Sequence, residues 1–520
     1  MVSRIGTFVA TFALSLVTTS MGLARDPVEA DFYEIVSIQT SKTLQNSRDT
    51  SWKPAPNDLA LEVSGIAVLD EDRVAVTIRK GEIWILKGVF DDPPENVEYQ
   101  PFASGLHEPL GLLWHDDAFY TVQRSELTRI RDRDHDGTAD EYRTVAKGWG
   151  VTGHYHEYAY GPKLDREGNL WLTLNIGLGL KGEQLTRTVT DPTLGVSQGR
   201  WRGWGMKVTP EGTLVPVAAG MRSPAGIGMN RQGDMFYTDQ QGNWVATNTL
   251  HHLREGVFYH HPEALASMGQ PQSPIAGITA VPDGLPYPEA LKRLPQMRPP
   301  AVWFPYKKAG QSPTDIMLDA SGGKFGPFDG QLFVGEFTLA SIQRVFLEQV
   351  DGEYQGAVFP FRRGLDSAVL RLGQGDDGSV LVGLSNRGWS SLGTASYGLQ
   401  RLVWSGRTPF EIQEMRATAE GFELRFTEPV DPESASDPNS YQFSSYTYLY
   451  HANYGSDEIQ REGLEITAAQ VSKDLRHVRL TVPGRRELYV HELVASGVRN
   501  SQGTPLLHPE AYYTLNKIPR

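Results

Sequence analysis

A glycine-bounded heptapeptide occurs twice in this chain, as Gly105-Leu106-His107-Glu108-Pro109-Leu110-Gly111 and as Gly220-Met221-Arg222-Ser223-Pro224-Ala225-Gly226. Both copies place glycine, an apolar residue and proline at the same spacing, and each leads into an apolar stretch that ends in a turn. A unit that recurs in this way indicates a radial or stacked architecture. Because equivalent positions of such units lie at one height around a common axis, polar residues in these loops are expected to converge on one site.

The stretches that follow the heptapeptides have counterparts elsewhere, so that six inner strands of a repeated β-unit are predicted. They are segments 64–69, 110–114, 158–164, 225–229, 314–318 and 368–372, and a turn and a second β-rich run follow each of them. Such hairpins, together with 53 glycines and 33 prolines, are typical of an all-β protein built from propeller blades. We therefore predict a six-bladed β-propeller over residues 61–408.

The pattern changes from Pro409 onward to strands in which apolar and polar residues alternate, as in segments 421–426 and 476–481. Residues 424–431, followed by Asn439-Ser440-Tyr441, are similar to the bacterial immunoglobulin-like domains of exported proteins. An immunoglobulin-like β-sandwich is therefore predicted over residues 409–520, a length that suits one such domain. We expect it to have a spacing or docking role and no catalytic residues.

The first 24 residues have the organisation of a signal peptide. Arg4 provides the positive end, residues 5–17 the apolar core, and Gly22-Leu23-Ala24 the small-residue cleavage site, an uncleaved anchor being the alternative. Residues 25–60 are interpreted as an N-terminal lead-in segment. Since no later segment approaches the ~20 apolar residues of a transmembrane helix, we expect an exported protein, periplasmic or extracellular, without stable membrane insertion.

Charge and cysteine content exclude several classes of function. A formal net charge of −13 without lysine or arginine clusters argues against a nucleic-acid partner. The absence of cysteine excludes disulfides, a thiolate nucleophile, a cysteine-ligated zinc and covalently attached c-type haem. Any electrons that the protein handles must therefore pass through a bound organic cofactor or a separate carrier.

An acidic loop carries the clearest local signal for a metal, Asp132-Arg133-Asp134-His135-Asp136-Gly137-Thr138-Ala139-Asp140. Oxygen ligands at alternate positions around a turn glycine wrap a hard divalent cation. Arg143 stands where a bidentate glutamate usually completes such a loop, and Glu141 is a candidate replacement. A structural calcium site is predicted, with a plain acidic turn as the alternative. The predicted ligands are Asp132, Asp134, Asp136, Thr138 through its carbonyl, and Asp140.

The loops that lead into the predicted inner strands carry a second set of polar residues. Imidazoles facing several cations could abstract a proton while the cations hold an anionic cofactor or an oxyanion. The alternative is a wet channel lined with solvated charge. The residues are Glu62, His107, Glu108, His154, His156, Glu157, Arg222, Lys307, Lys308, Arg362, Arg363 and Asp366.

A third cluster combines aromatic residues with amide and acid side chains, in segments 237–244 and 386–389. Aromatic faces can pack on sugar rings while neighbouring polar groups bind hydroxyls. Packing of tryptophans between blades and capping of turns by aspartate and asparagine is the equally weighted alternative. The candidate substrate-binding residues are Asp239, Asn243, Trp244, Arg387 and Trp389.

Residues 61–404 resemble the glucose/sorbosone dehydrogenase-like propellers of exported bacterial proteins, and most closely their membrane-bound dehydrogenase type. The segments that carry the resemblance are Gly220-Met221-Arg222-Ser223-Pro224-Ala225-Gly226, Phe236-Tyr237-Thr238-Asp239, His156-Glu157 ahead of Gly168-Asn169-Leu170-Trp171, and Leu384-Ser385-Asn386-Arg387-Gly388-Trp389. Ser223 stands where the relatives have asparagine, so this position departs from the family pattern.

The resemblance implies a quinoprotein that binds pyrroloquinoline quinone, oxidises a sugar or polyol and passes electrons to an external cytochrome. His156 then corresponds to the base, and Arg222 to the arginine that binds the quinone. Lys307 or Lys308 corresponds to the lysine at the acid groups of the cofactor, and His107 and Arg363 are further cofactor-binding candidates in the same ring of loops. The alternatives are a non-catalytic carbohydrate- or protein-binding propeller and, third, a glycan lyase or lactonase.

Overall fold

Antiparallel β-sheets dominate the chain, which confirms the all-β prediction. The computed structural model describes residues 25–38, 59–151, 154, 156–177 and 200–520, and the predicted signal peptide, residues 1–24, lies outside the described residues. None of the helices in these ranges is long and apolar enough to cross a membrane. They are the α-helices α1 (Tyr287–Arg293) and α2 (Pro432–Ser436) and the 3-10 helices Glu29–Asp31, Pro262–Ser267 and Pro438–Ser440.

All described strands up to residue 404 except β17, which pairs with a strand of the C-terminal region, form six antiparallel meanders of four strands each. In chain order they are β1 (Tyr33–Ser37), β2 (Val63–Val68), β3 (Arg73–Ile78), β4 (Glu82–Lys87), β5 (Glu98–Ala103), β6 (Leu113–His115), β7 (Ala118–Val122), β8 (Glu126–Arg131), β9 (Glu141–Lys147), β10 (Ala159–Leu164), β11 (Leu170–Leu174), β12 (Trp204–Val208), β13 (Leu214–Ala219), β14 (Gly226–Met229), β15 (Met235–Asp239), β16 (Asn248–His252), β17 (Leu285–Pro286), β18 (Val302–Phe304), β19 (Pro313–Leu318), β20 (Leu332–Glu336), β21 (Ser341–Val350), β22 (Glu353–Arg362), β23 (Val369–Gln374), β24 (Val380–Ser385) and β25 (Tyr397–Trp404).

The meanders are arranged as a β-propeller. The first five consist of β2–β5, β6–β9, β10–β13, β14–β16 with β18, and β19–β22, and the sixth consists of β23–β25 with β1. Their first strands contact one another in a closed cycle, from β2 through β6, β10, β14, β19 and β23 back to β2. The second strands β3 and β24 are buried along nearly their whole length, since neighbouring meanders cover both faces. This explains why they are continuous apolar runs.

The N-terminal segment takes part in this ring, which corrects its interpretation as a lead-in outside the propeller. Strand β1 pairs antiparallel with β25, from Tyr33 opposite Trp404 to Ser37 opposite Gln400. Tyr33 is completely buried among aromatic residues of the fifth meander. The sixth sheet therefore combines an early strand of the chain with the last three strands of the propeller.

One arginine joins the inner strands across the axis. The buried guanidinium of Arg371 in β23 donates to the carbonyl oxygens of Ser64 (3.0 Å), Ala225 (3.1 Å) and Leu110 (3.3 Å), which belong to three other meanders. It also lies 5.1 Å from the ring of Tyr160. Because one planar group bonds strands from opposite sides of the ring, it separates the space along the axis into an upper and a lower cavity.

Except for β29 (Leu449–Tyr450), which pairs with β17, the described strands after residue 409 lie in two antiparallel sheets. One sheet, β26-β27-β32-β31, is separate, whereas the other continues the fifth meander through pairing of β22 with β34. Phe346, Ala357 and Phe359 of the fifth meander belong to the same apolar core as the C-terminal strands, so this core is shared between the two regions. The strands are β26 (Ile412–Ala417), β27 (Gly421–Phe426), β28 (Gln442–Thr447), β29 (Leu449–Tyr450), β30 (Ile459–Gly463), β31 (Ala468–Val471), β32 (His477–Thr481), β33 (Tyr489–Val494) and β34 (Glu510–Leu515).

Candidate functional site

The polar loops predicted from the sequence lie at one end of the ring, which we call the upper end. In a four-stranded antiparallel meander, the loop before the first strand and the loop between the second and third strands are at the same end. The heptapeptide loops before β6 and β14 therefore share this end with the loops after β3, β7, β15 and β24. The acidic loop between β8 and β9 is at the opposite end.

An axial cavity of about 330 Å³, including its part open to solvent, lies below these loops. Arg371 lines the lower cavity instead, so that its carbonyl contacts form the floor of the upper one. The lining residues come from all six meanders: Arg79, Leu110, Tyr158, Tyr160, Ala225, Gln240, Thr314, Phe337, Leu370, Arg387 and Trp389.

Two of the predicted substrate-binding residues, Arg387 and Trp389, line this upper cavity. Arg387 donates to both carboxylate oxygens of Glu62, at 2.8 and 2.6 Å. The indole of Trp389 donates to Thr338 Oγ1 (3.3 Å), and its ring centroid is 4.4 Å from that of Phe337. Both side chains are thus held in place and still contribute to the cavity wall.

The heptapeptide loop at residues 220–226 is anchored by Asp239, a predicted substrate ligand. The carboxylate accepts hydrogen bonds from the main-chain N–H groups of Arg222 (2.8 Å) and Ser223 (2.7 Å) and of its own neighbour Gln240. Asp239 is completely buried, and burial raises its pKa to about 6 although these donors favour the charged form. Its oxygens are occupied by the backbone, so Asp239 orients the loop and does not bind substrate.

This anchoring positions Arg222 beside the loop that follows β15, although Arg222 is not one of the residues that line the upper cavity. The guanidinium is buried, and its Nε has no hydrogen-bond partner among the described residues. A Cβ at Gly242 would lie 1.9 Å from Arg222 Cζ, so only glycine lets the guanidinium pack against this loop. Its Nη1 is 3.5 Å from the carbonyl oxygen of Gln240, a residue of the cavity wall. Burial lowers the pKa of Arg222.

His156, the predicted base, lies within electrostatic range of Arg222. Burial, together with the positive charges of His154, Arg222 and Arg124, lowers the pKa of His156 to about 4. The imidazole is therefore neutral at physiological pH. Its ring centroid is 5.8 Å from that of His154 and 6.1 Å from that of Tyr158, which lines the cavity. The charge of Arg222 thus acts on His156 although a full meander separates the two residues in sequence.

The first heptapeptide loop contributes its glutamate rather than its histidine to internal contacts. Glu108 pairs with Arg79 (2.5 Å) and Arg124 (2.7 Å), and both guanidinium groups lie beside the ring of Tyr158. Burial opposes the charge on Glu108, but the two arginines outweigh it and lower its pKa. His107 is exposed on the rim of this loop.

The other predicted cofactor-binding residues, Lys307, Lys308 and Arg363, differ in whether their charges are free to contact a ligand. Lys308 forms ion pairs with Glu458 (2.7 Å) and Glu492 (2.8 Å), so its charge is already neutralised by the C-terminal region. Lys307 is exposed, with its ammonium group 5.4 Å from the ring centre of Tyr306. Arg363 is exposed, and its main-chain N–H donates to Glu29 near the N-terminal segment. Lys307 and Arg363 are therefore both exposed in loops of the upper end, whereas the charge of Lys308 is paired.

Asn243 and Trp244, predicted to bind substrate, instead hold a segment of the C-terminal region that we call the arm (residues 447–458). Asn243 Nδ2 donates to the carbonyl of Ala452 (2.8 Å), and the N–H of Trp244 donates to the carbonyl of His451 (3.0 Å). The Trp244 indole also packs against Tyr450, with 5.2 Å between ring centroids. These residues thus contact the arm, and their role as sugar ligands stays a prediction.

Sequence reasoning missed Tyr454, which the arm places over Arg222 at 5.3 Å from Cζ to the ring centre. The expectation that the C-terminal region only spaces or docks did not anticipate this contact. The one available signal was the density of tyrosine at positions 446, 448, 450 and 454, which is unusual for the alternating strands of a sandwich.

The acidic loop of the second meander presents a partial ligand set. Carboxylate oxygens of Asp132, Asp134 and Asp136 lie within 4.8 Å of one another. Asp140 accepts a hydrogen bond from the N–H of Arg133 (3.0 Å). Glu141 pairs with Arg129 at 2.5 Å, so the candidate replacement for the missing bidentate ligand is engaged elsewhere.

Comparison with known proteins gives a family match of unknown function. A family model described as a domain of unknown function (DUF7133) matches residues 91–286, from the loop between β4 and β5 to the end of β17. No curated protein matches the chain.

Several solved structures are similar to the chain at low sequence identity. A Thermus thermophilus protein provisionally named an oxidoreductase (glucose dehydrogenase) is 19% identical, with 66% of this chain and 97% of that one covered and a TM-score of 0.46. An aldose sugar dehydrogenase of Streptomyces coelicolor in its PQQ-bound form is 13% identical (73% and 100% covered, TM-score 0.45). The soluble aldose sugar dehydrogenase of Escherichia coli is 12% identical (72% and 100% covered, TM-score 0.45). None of these similarities assigns an activity to this chain.

Proposed function

We propose that this chain is an exported six-bladed β-propeller with a C-terminal immunoglobulin-like β-sandwich, and that it oxidises a sugar or polyol. The loops of the upper end, which carry His156, Arg222 and Lys307, would hold pyrroloquinoline quinone and the substrate, and an external cytochrome would accept the electrons. One observation carries this proposal: a neutral imidazole, His156, lies close to the buried guanidinium of Arg222, whose Nε bonds to nothing in the described part of the chain. A general base beside an anion-binding group is the pair that hydroxyl oxidation requires.

The residues at the upper end fit an acidic quinone. Pyrroloquinoline quinone carries carboxylate groups, and the Nε of Arg222 is a buried donor without a partner in the ranges that the structure describes. Arg79 and Arg124 share the single carboxylate of Glu108, so positive charge is in excess there. Lys307 adds an exposed ammonium group. Lys308 is already paired with two carboxylates, so we do not count it among the cofactor-binding residues. Arg222 and Lys307 would therefore hold the acid or carbonyl oxygens of the cofactor.

The bound quinone would supply the hydride acceptor of the reaction. His156 would take the proton of the substrate hydroxyl, and its low pKa keeps the imidazole available as a base near neutral pH. Arg222 would stabilise negative charge as it develops, because its burial makes an electrostatic contact stronger than in water. Trp389 and Arg387 would bound the substrate on the side of the sixth meander.

Titration of the full chain with pyrroloquinoline quinone and calcium tests this proposal through the absorption spectrum of the quinone. We expect saturable binding by the wild type, and an affinity about tenfold to a hundredfold weaker for Arg222→Met, because a charge-assisted bond is lost. Arg254→Met is the matched control, since Arg254 belongs to the same meander but is paired with Glu353. If the absorption spectrum shows no saturable change with the wild type, the proposal that the chain binds the quinone is wrong. A non-catalytic binding propeller is then favoured.

We further propose that the loop at residues 132–140 binds calcium in a structural role, because three of its carboxylates already converge. Chelation with EGTA should then lower the unfolding temperature by about 3 °C, since a ligand that binds only the folded state stabilises it. Asp134→Ala should abolish the calcium effect, whereas Asp116→Ala, in a tight turn of the same meander, should keep it. Identical melting curves with EGTA and with millimolar calcium would contradict the site.

A further inference from the structure

Strand β21 has a free edge over half of its length. On one side β22 pairs with it as far as Val350, which lies opposite Glu353. On the other side β20 pairs with it only as far as Val345, which lies opposite Leu332. Among the described strands, residues 346–350 therefore have a neighbour on one side only.

The main chain of this free edge offers hydrogen-bonding groups at the spacing of a strand. The turn Asp351-Gly352 has two positive φ angles, 49° and 80°, the geometry of a two-residue hairpin whose flanking residues exchange hydrogen bonds. Because bonded and non-bonded pairs alternate along an antiparallel ladder, Leu347 and Gln349 turn their N–H and C=O groups away from β22. These groups have no partner in the part of the chain that the structure describes.

The free edge borders a cavity of about 1010 Å³, including its part open to solvent. Residues 345–349 all line this cavity. Since successive side chains of a strand point to opposite faces, an unbroken run of lining residues opens the backbone edge itself to the cavity. The other walls are the turn 230–232 of the fourth meander, residues 329–332, and strands β26 and β27. Arg231 and Asp329 in these walls are paired at 2.5 Å, so their charges cancel.

The two sides of the cavity differ in chemistry. On the propeller side it is lined by apolar side chains of the core of the ring, Leu332, Val345 and Leu347. On the side of the C-terminal sheet, the side chains of Arg416 and Arg425 are 45% and 46% exposed. The carboxylates that they contact, Glu348 and Glu414, are only 11% and 17% exposed. The charge that reaches the open space on this side is therefore positive.

We propose that this cavity binds an extended segment of a partner protein, which pairs with the free edge of β21 and in which apolar and acidic residues alternate. Pairing would satisfy the main-chain groups of Leu347 and Gln349, as when a peptide adds a strand to an open sheet edge. Every second side chain of the segment would meet the apolar side, and the others would meet Arg416 and Arg425. The free stretch spans about 17 Å, which is the length of about five extended residues.

A peptide suits this cavity better than an acidic polysaccharide. Only another strand presents N–H and C=O groups at the repeat of the β21 edge, whereas a polysaccharide would use the arginines and leave the main chain unpaired. The turns 230–232 and 351–352 lie at the end of the ring opposite to the upper end, where His156 and Arg222 are. The proposal is therefore independent of the proposed oxidation.

Fluorescence polarisation of the full chain with labelled peptides tests the strand pairing. The probe is a heptapeptide of alternating valine and glutamate, and two further versions carry N-methyl groups on the valines only or on the glutamates only. Only one of these two sets can direct its N–H groups towards β21. We expect one methylated probe to bind about tenfold more weakly, or worse, and the other to bind nearly as the parent does. This comparison leaves the protein unchanged, so it does not depend on the folding of a variant.

A variant and a second probe test the charge of the segment. Arg425→Gln should weaken binding of the unmethylated probe about threefold, because a partly exposed charge contact is lost. Arg479→Gln is the matched control and should bind as the wild type does, since Arg479 lies on β32 of the same sheet, is paired with Glu423 and does not line the cavity. A heptapeptide of alternating valine and lysine should bind about tenfold more weakly than the glutamate probe.

Each contrary result removes a defined part of the proposal. Equal binding of the two methylated probes would mean that the cavity recognises charge alone, as for an acidic polysaccharide, and would overturn the strand pairing. Equal binding of the lysine probe, or an Arg425→Gln protein with wild-type affinity, would overturn the acidic character of the segment. A wild type that binds none of the probes would overturn the site.

Discussion

Replacing His156 with glutamine is expected to lower quinone-dependent sugar oxidation by about a hundredfold or more, because a general base contributes that much to proton transfer. The amide keeps the size and polarity of the side chain but cannot accept a proton. Quinone binding through Arg222 and the unfolding temperature should change little. The measurement is the turnover rate of the reconstituted full chain with a dye as electron acceptor.

The pH dependence gives a second readout of the same residue. Since burial lowers the pKa of His156 to about 4, activity that depends on its neutral form should persist at pH 5 and fall as the pH drops through about 4. His115→Gln, at the exposed far end of β6, should leave both rate and profile unchanged. A His156→Gln protein with the wild-type rate would place the base elsewhere. A rate that falls already below about pH 7 would then indicate Glu263, whose pKa burial and the charge of Glu157 raise to about 7.

Loss of His508 is expected to have the largest effect on stability. This buried imidazole is 2.6 Å from the carboxylate of Glu411 and 3.0 Å from that of Glu29, and thereby joins the N-terminal segment to the C-terminal region. Burial opposes its charge, but the two carboxylates outweigh burial and raise its pKa to about 9. His508→Gln would leave Glu411 without this cation in a buried place, which costs about 3–5 kcal/mol. Urea unfolding at pH 6 measures the loss.

The sign of the pH effect follows from the raised pKa. The contribution of His508 to stability is fully present below its unfolded-state pKa of about 6.5 and is lost as the pH rises through about 9. The difference in unfolding free energy between wild type and His508→Gln should therefore be large at pH 6 and shrink towards pH 10. His477→Gln, which removes an ion pair with Asp474 at the surface, should change little because solvent screens it. A difference that grows with pH would contradict this account.

The parts of the fold that were predictable depend on local patterns. The alternation in residues 421–426 predicts β27 with its observed bounds, and the second heptapeptide ends where β14 begins. The equivalence of the loops also predicts that His156 and Arg222 lie at one end of the ring, and the loops that carry them do precede the first strands β10 and β14. Repeated units carry such information because each copy obeys the same geometry.

What the sequence did not reveal depends on contacts between distant residues. Segment 237–244 has the composition of a sugar site, yet Asp239 binds backbone and Asn243 holds a carbonyl 209 positions away. The same separation hid Tyr454, whose position over Arg222 requires the arm. Segment 368–372 was predicted as an inner strand, but nothing local shows that Arg371 crosses the axis. Lys308 resembled a cofactor lysine until its two carboxylate partners were located in the C-terminal region.

The pairing of β1 with β25 also constrains the order in which the propeller can fold. Tyr33–Ser37 leaves the ribosome early, but its partner strand Tyr397–Trp404 emerges only after every other meander has been made. The earliest strand must therefore wait with an unsatisfied edge while the rest of the ring assembles, and contacts this distant in sequence form slowly. Once formed, this pair completes the sixth sheet. A nascent chain cut short before Tyr397 would hold five of the six propeller meanders and still lack the pairing that completes the sixth.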